Sequence, residues 1–117
     1  MTVLRIVADL HADDPQELAR FYTDLFDLDV AMDMGWIVTI ASEERMRPQL
    51  TIGSGGGSGT ALPMLSIEVD NVDFAHARAQ ELNHEIVYPL TNEPWGVRRF
   101  FLLDPAGRKV NVLQHIE

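Results

Sequence analysis

The chain has 117 residues, 9 Lys and Arg against 18 Asp and Glu, a formal net charge of −9, 46% hydrophobic residues and no cysteine. That length supports one core without staples, and the missing cysteine removes thiolate zinc sites, iron–sulfur clusters, cysteine nucleophiles and disulfides. The acidic excess argues against nucleic acid and anionic membranes as partners; with no long apolar run and no signal-like start, the chain is expected to be cytoplasmic. Val3–Leu10, rich in Val, Ile and Leu, predicts a strand. Asp14 then suits an N-cap, Pro15 the first helical position and Glu17 the capping box. Leu18, Phe21, Tyr22, Leu25 and Phe26 recur at helical spacing and predict a stripe lying on a sheet. Further strands are predicted at Trp36–Ile40 and Pro48–Ile52, with a polar turn, Ser42–Arg47, between them.

The run Gly53–Gly59 holds five of the eight glycines and reads as a flexible connector. Ten acids and four bases lie in the 52 residues before it, so the first half carries most of the negative charge. Beyond it come a strand at Met64–Val69, a cap at Asp70 or Asn71, and a helix with Val72, Ala75, Ala79 and Leu82 on one face. Asn83 is expected to end that helix in the left-handed conformation. Strands are then predicted at Glu85–Tyr88, Arg98–Leu103 and Lys109–His115, the last two joined by a turn at Asp104–Gly107. An offset of 57 residues sets Val7 on Met64, Asp14 on Asn71, Leu18 on Ala75, Leu25 on Leu82 and Val30 on Val87. The element order repeats, which predicts an α+β domain over residues 1–117. Its two βαβββ modules cover about 1–52 and about 60–117, and residues 53–59 are a Gly/Ser linker.

Phe21-Tyr22 followed by Leu25-Phe26-Asp27-Leu28 resembles the "FY…LFGL" helix end of the vicinal oxygen chelate superfamily, which holds glyoxalases, bleomycin resistance proteins and ring-cleaving dioxygenases. Glu68-Val69-Asp70-Asn71-Val72-Asp73 and the stretch Pro94-Trp95-Gly96-Val97-Arg98 through Asp104-Pro105-Ala106-Gly107 resemble two more of its signatures. Asp27 stands where a glycine is usual. The resemblance implies two modules whose curved mixed sheets surround a shared cavity, paired in a homodimer. It also implies, for the metal-using members, four ligand positions that fall here on Val7, Gln49 or Thr51, Met64 and Asn111. Valine has no donor atom and a thioether suits soft ions, so these four do not make a hard divalent-metal site. A displaced set of Asp9, His11 and Glu68 is the alternative, with one divalent ion as cofactor. None of the four histidines has metal-ligand spacing to another.

Strand alternation supplies the rest. Leu4, Ile6, Ala8 and Leu10 are expected under the first helix, and Leu65, Ile67 and Val69 under the second. Val7, Arg5 and Asp9 then face the cavity with Met64, Ser66, Glu68 and Asn111, Arg5 and Glu68 being matched as an ion pair. Satisfying one another is the other use of these polar groups. Trp36 and Trp95, one per module, could wall a pocket or cap the core, and Met32, Met34 and Met46 surround the first in sequence. Arg98 and Arg99 straddle two faces, and Arg98 is taken as the ligand-facing one. The expected function is a metal-independent, bleomycin-resistance-like protein that sequesters a small organic molecule, without cofactor. The alternative is a glyoxalase-like lyase, isomerase or dioxygenase using the displaced metal site. An enzyme without metal, with Glu68 or Asp9 as general base, is a third.

Overall fold

A computed structural model of the chain describes residues 1–26, 28–42 and 49–116. Asp27, residues 43–47 of the expected polar turn with Met46, and Pro48 lie outside the described residues, as does the side chain of Leu25. Among the described residues there are eight strands and two helices, an α+β fold of mixed parallel and antiparallel pairing. In chain order these are β1 (Val3–His11), α1 (Pro15–Phe26), β2 (Asp29–Asp33), β3 (Ile37–Ala41), β4 (Gln49–Gly53), β5 (Leu65–Val69), α2 (Val72–Glu81), β6 (Ile86–Glu93), β7 (Val97–Leu103) and β8 (Lys109–His115). The chain divides into two compact units, Val7–Leu62 and Met1–Ile6 with Pro63–Glu117. Each contains a helix followed by three strands, the last of them parallel to the strand before the helix.

In the unit Val7–Leu62, Glu17 N donates to Asp14 Oδ1 at 3.2 Å, so the expected cap is in place. Ala19, Val38, Ile40 and Ile52 form its buried cluster, with Leu10, Leu18 and Tyr22 packed against them. Phe21 and Phe26, placed in the buried stripe by spacing, are instead 57% and 58% exposed. The contact face of α1 is narrower than the apolar pattern, and Ala19 sits at its centre. Strand β2 has no apolar alternation to announce it: all five residues are exposed, and a register shift falls between Val30 and Met32. It pairs with β3, and Gln16 of α1 donates to Asp33 Oδ1 at its end at 3.2 Å. The glycine run is a folded turn. Gly53 ends β4, Gly56 N donates to Thr60 O and Thr60 N to Gly57 O, both at 2.9 Å. Gly57, Ser58 and Gly59 take positive φ there, which explains the composition by local geometry and not by flexibility.

In the other unit, Asn71 caps α2 by accepting from Phe74 N at 3.0 Å, while Asp70 accepts from Thr2 N at 2.8 Å. Asn83 adopts φ 59°, and His84 N closes the helix on Ala79 O at 3.0 Å. Val69, Val72, Ala79, Phe100, Val110 and Val112 are its core, with Leu65 and Ile67 against it as expected. Leu82 is at the C-cap and 56% exposed. Strand β6 runs through Pro89 to Glu93, five residues past the expected end, with register shifts around the proline. An outer strand tolerates a proline that a central one would not. On β1, Leu4 and Ile6 are 57% and 61% exposed and not packed under a helix; of the alternating set only Leu10 enters a core cluster.

Candidate functional site

In the unit built on α2, the core takes one face of the strands, so the alternating residues define the opposite face. Glu68 lies on that face of β5 and joins Arg5 and His115 in a three-residue cluster. Its Oε1 accepts from Arg5 Nε at 2.6 Å and its Oε2 lies 2.9 Å from His115 Nδ1. Arg5 is about a third exposed and Glu68 largely buried. Burial alone would raise the Glu68 pKa, but hydrogen bonds from His115 and Arg5, with their charges, outweigh it and hold the carboxyl below its ordinary value. A depressed folded-state pKa means stability that is present above the unfolded value and lost as pH falls through the folded one. Glu68→Gln is therefore expected to flatten the acid limb of the stability–pH profile below the carboxylate reference of 4.5, measured by urea unfolding at stepped pH. An unchanged acid limb would show that the ion pair has no part in it.

Next to this group, Asn111 on β8 is paired in register with Ser66 on β5, and its Nδ2 donates to Ser66 Oγ at 3.1 Å. Asn111 is 7% exposed, and its Oδ1 is buried without a partner among the described residues. An unmet buried acceptor costs roughly 1–3 kcal/mol, so this amide is set where the fold gains little from it.

The third group is aromatic. Arg99 on β7 forms a buried ion pair with Glu93, Nη2 to Oε2 2.8 Å, and Tyr88 OH donates to Glu93 Oε1 at 3.0 Å. The Arg99 guanidinium lies 5.2, 5.0 and 4.7 Å from the ring centroids of Tyr88, Trp95 and Phe101. The Trp95 ring, expected to stack on a ligand, thus already stacks on a cation of the chain itself. Arg98, expected to face the ligand, points to the helix side instead, with Nη2 2.8 Å from Asp73 Oδ1 at the start of α2. Adjacent residues on a strand face opposite ways, and the choice between them is settled by Asp73. Glu93, Tyr88, Phe101 and His115 were missed by the sequence reading. The signal for His115 was its spacing of four from Asn111 on one strand, which puts both on one face.

The remaining expected site residues are placed as follows. Val7 is 4% exposed in the other unit, where Thr51 and Thr39 hydroxyls bond each other at 2.9 Å. Trp36 stands before β3, beside Gly35 with φ 86°, and its carbonyl accepts from Ser54 N at 2.9 Å. Met64 precedes β5 and is 54% exposed. Asp9 and His11 lie in the Val7–Leu62 unit and Glu68 in the other. Among the described residues no three His, Asp or Glu groups come together as a metal site. At the family's ligand positions Val7 has no donor atom and the Thr51 hydroxyl is bonded to Thr39, while Asn111 Oδ1 has no partner among the described residues.

The fold has close counterparts. The NAD-dependent benzaldehyde dehydrogenase of Legionella pneumophila superposes with a TM-score of 0.79 at 16% identity, covering 95% of this chain and 99% of that one. A glyoxalase/bleomycin resistance protein/dioxygenase superfamily member from Vibrio splendidus gives 0.70 at 16% identity over 98% and 100%. Streptomyces coelicolor methylmalonyl-CoA epimerase, in complex with 2-nitronate-propionyl-CoA, gives 0.72 at 13% over 99% and 100%. Such identities carry the fold and not the activity. No curated protein sequence matches the chain. No described helix is long and apolar enough to cross a membrane. The family model matches residues 4–112, and the chain belongs to the Glyoxalase/Bleomycin resistance protein/Dioxygenase superfamily.

Proposed function

We propose that the protein binds a small organic molecule without a metal ion, at the strand face that carries Ser66, Glu68 and Asn111. The observation behind this reading is the Ser66–Asn111 pair: at a position where metal-using relatives are expected to supply a ligand, this chain holds a buried amide bonded to a hydroxyl. Polar groups on this face are few, Asn111 Oδ1 being without a partner among the described residues, while Phe101 and Leu113 beside them are apolar. That mixture suits a largely apolar molecule oriented by a small number of hydrogen bonds. A cationic ligand is disfavoured at Trp95, because Arg99 already occupies the aromatic group there. A homodimer is part of the proposal, supported by exposed Leu4 and Ile6 on β1.

Two measurements test it. Titration with Mn²⁺, Ni²⁺ and Zn²⁺, followed by tryptophan fluorescence, is expected to show no stoichiometric saturation. Tight one-to-one binding lost in Glu68→Ala would overturn metal independence. A thermal-shift screen of neutral aromatic compounds is expected to return binders whose shift falls by at least half in Ser66→Ala; equal shifts in both proteins would remove this face as the site. Sedimentation equilibrium on the same material should give twice the chain mass, and a monomer mass would remove the dimer.

A further inference from the structure

His115 closes β8 with 54% of its side chain exposed and Nδ1 2.9 Å from Glu68 Oε2. An ionised carboxylate only accepts hydrogen bonds, so a neutral imidazole in this arrangement carries its hydrogen on Nδ1 and its lone pair on Nε2. Arg5, 2.6 Å from the second carboxylate oxygen, favours the ionised Glu68. The Nε2 makes no hydrogen bond among the described residues. Three elements thus fix one ring: β1 supplies Arg5, β5 supplies Glu68 and β8 supplies His115. Among the described residues the charged groups at the imidazole are Glu68 and, through it, Arg5. Across β7 its register partner is Val97, and Glu93 beyond that is paired with Arg99.

We propose that His115 is a general base that delivers water to the acyl carbon of a small activated ester, with Glu68 and Arg5 as positioning residues. The assignment departs from Glu68 itself as the base: both its oxygens are engaged, and, against burial, His115 and Arg5 hold its carboxyl below its ordinary pKa. Exposure of the ring makes water the reactant at hand. Nε2 takes a proton from water as the water oxygen bonds to the acyl carbon and the carbonyl electron pair moves to oxygen. Collapse of that intermediate breaks the bond to the leaving alkoxide or phenoxide, and the imidazolium returns the proton to the alkoxide or to solvent. The products are the acid and the alcohol, and no other reactant is needed. This inference stands on the dyad and does not require the ligand reading above.

The test is hydrolysis of p-nitrophenyl acetate by the full chain, read as a second-order rate constant against pH. His115→Gln is expected to lower it about a hundredfold or more, the low end of the usual contribution of a positioned base. His84→Gln, at an exposed histidine after α2, should leave it unchanged. Glu68→Gln should lower the rate constant and weaken the ring's preference for the Nδ1–H tautomer, because the ring loses the acceptor that fixes it. Nitrogen NMR of the neutral wild-type ring, which needs no variant to fold, should find the Nδ1–H tautomer. A wild-type rate retained in His115→Gln or in Glu68→Gln, or the Nε2–H tautomer in the wild type, would each overturn the proposal.

Discussion

Replacing Glu93 by alanine is expected to remove about 3–5 kcal/mol of unfolding free energy, as for other buried ion pairs broken from one side. The side chains of Glu93 and Arg99 are 2% and 5% exposed, so the guanidinium left behind cannot recover its water. Three rings around it give attraction worth roughly 1–2 kcal/mol each at best, and they are already engaged in the wild type, so they offer no compensation. Tyr88 loses its acceptor in the same step. Arg98→Ala, on the neighbouring residue, removes an ion pair with Asp73 whose carboxylate side chain is 61% exposed, and at most about 1 kcal/mol should follow. Urea unfolding of the two variants separates these cases. A loss below about 1 kcal/mol for Glu93→Ala would mean that water reaches the pair. The double variant Glu93→Leu/Arg99→Met should recover most of the loss, because the penalty lies in keeping a charge buried and not in the missing bond.

Much of the fold was legible because local chemistry and packing agree. Asp14 and Asn71 cap helices as their side chains predict, Asn83 stops one, and Asp104 closes its turn through Ala106 N and Arg108 N at 2.9 and 2.8 Å. Where the reading failed, the deciding information was tertiary. Strand β2 exists through its pairing with β3, since its own residues bury nothing. Phe21 and Phe26 fit the helical period yet remain exposed, because Ala19 is what approaches the strands. Leu4 and Ile6 sit at the expected alternation, but alternation assigns a face and not a cover.

The candidate site was legible to the same depth. Alternation placed Ser66, Glu68 and Asn111 on one strand face, and the Arg5–Glu68 pair follows from opposite charges on neighbouring strands. Arg98 was misplaced because two consecutive arginines are equivalent until Asp73 on α2 and Glu93 on β6 divide them. Trp95 was correctly singled out as an aromatic surface, but its partner is a residue four positions along the same chain. His115 looked like a chain-end residue in sequence. Its meaning comes from β8 running parallel to β5, which brings it to Glu68 across a separation of 47 residues.

Gly56→Ala is expected to lower stability by about 1–3 kcal/mol, the range for forcing an extra methyl group into a packed place. A Cβ there would collide with Thr60 Oγ1 and Ala61 O and stand 2.9 Å from Ala61 C. The threonine hydroxyl is held by Gly57 O at 2.7 Å and the backbone of Ala61 cannot rotate away, so the turn itself must shift. Opening it weakens the Gly56 N to Thr60 O bond that closes the loop after β4. Gly55→Ala is the matched control. Its added Cβ would meet Thr60 O at 3.6 Å, an ordinary contact, and reduced freedom in the unfolded chain could even stabilise by about 0.4–1 kcal/mol. A flexible spacer predicts that the two substitutions behave alike, since neither methyl would meet anything. Thermal and urea unfolding of both variants therefore discriminate a spacer from a built turn, and equal stabilities would restore the spacer reading that the glycine content alone suggested.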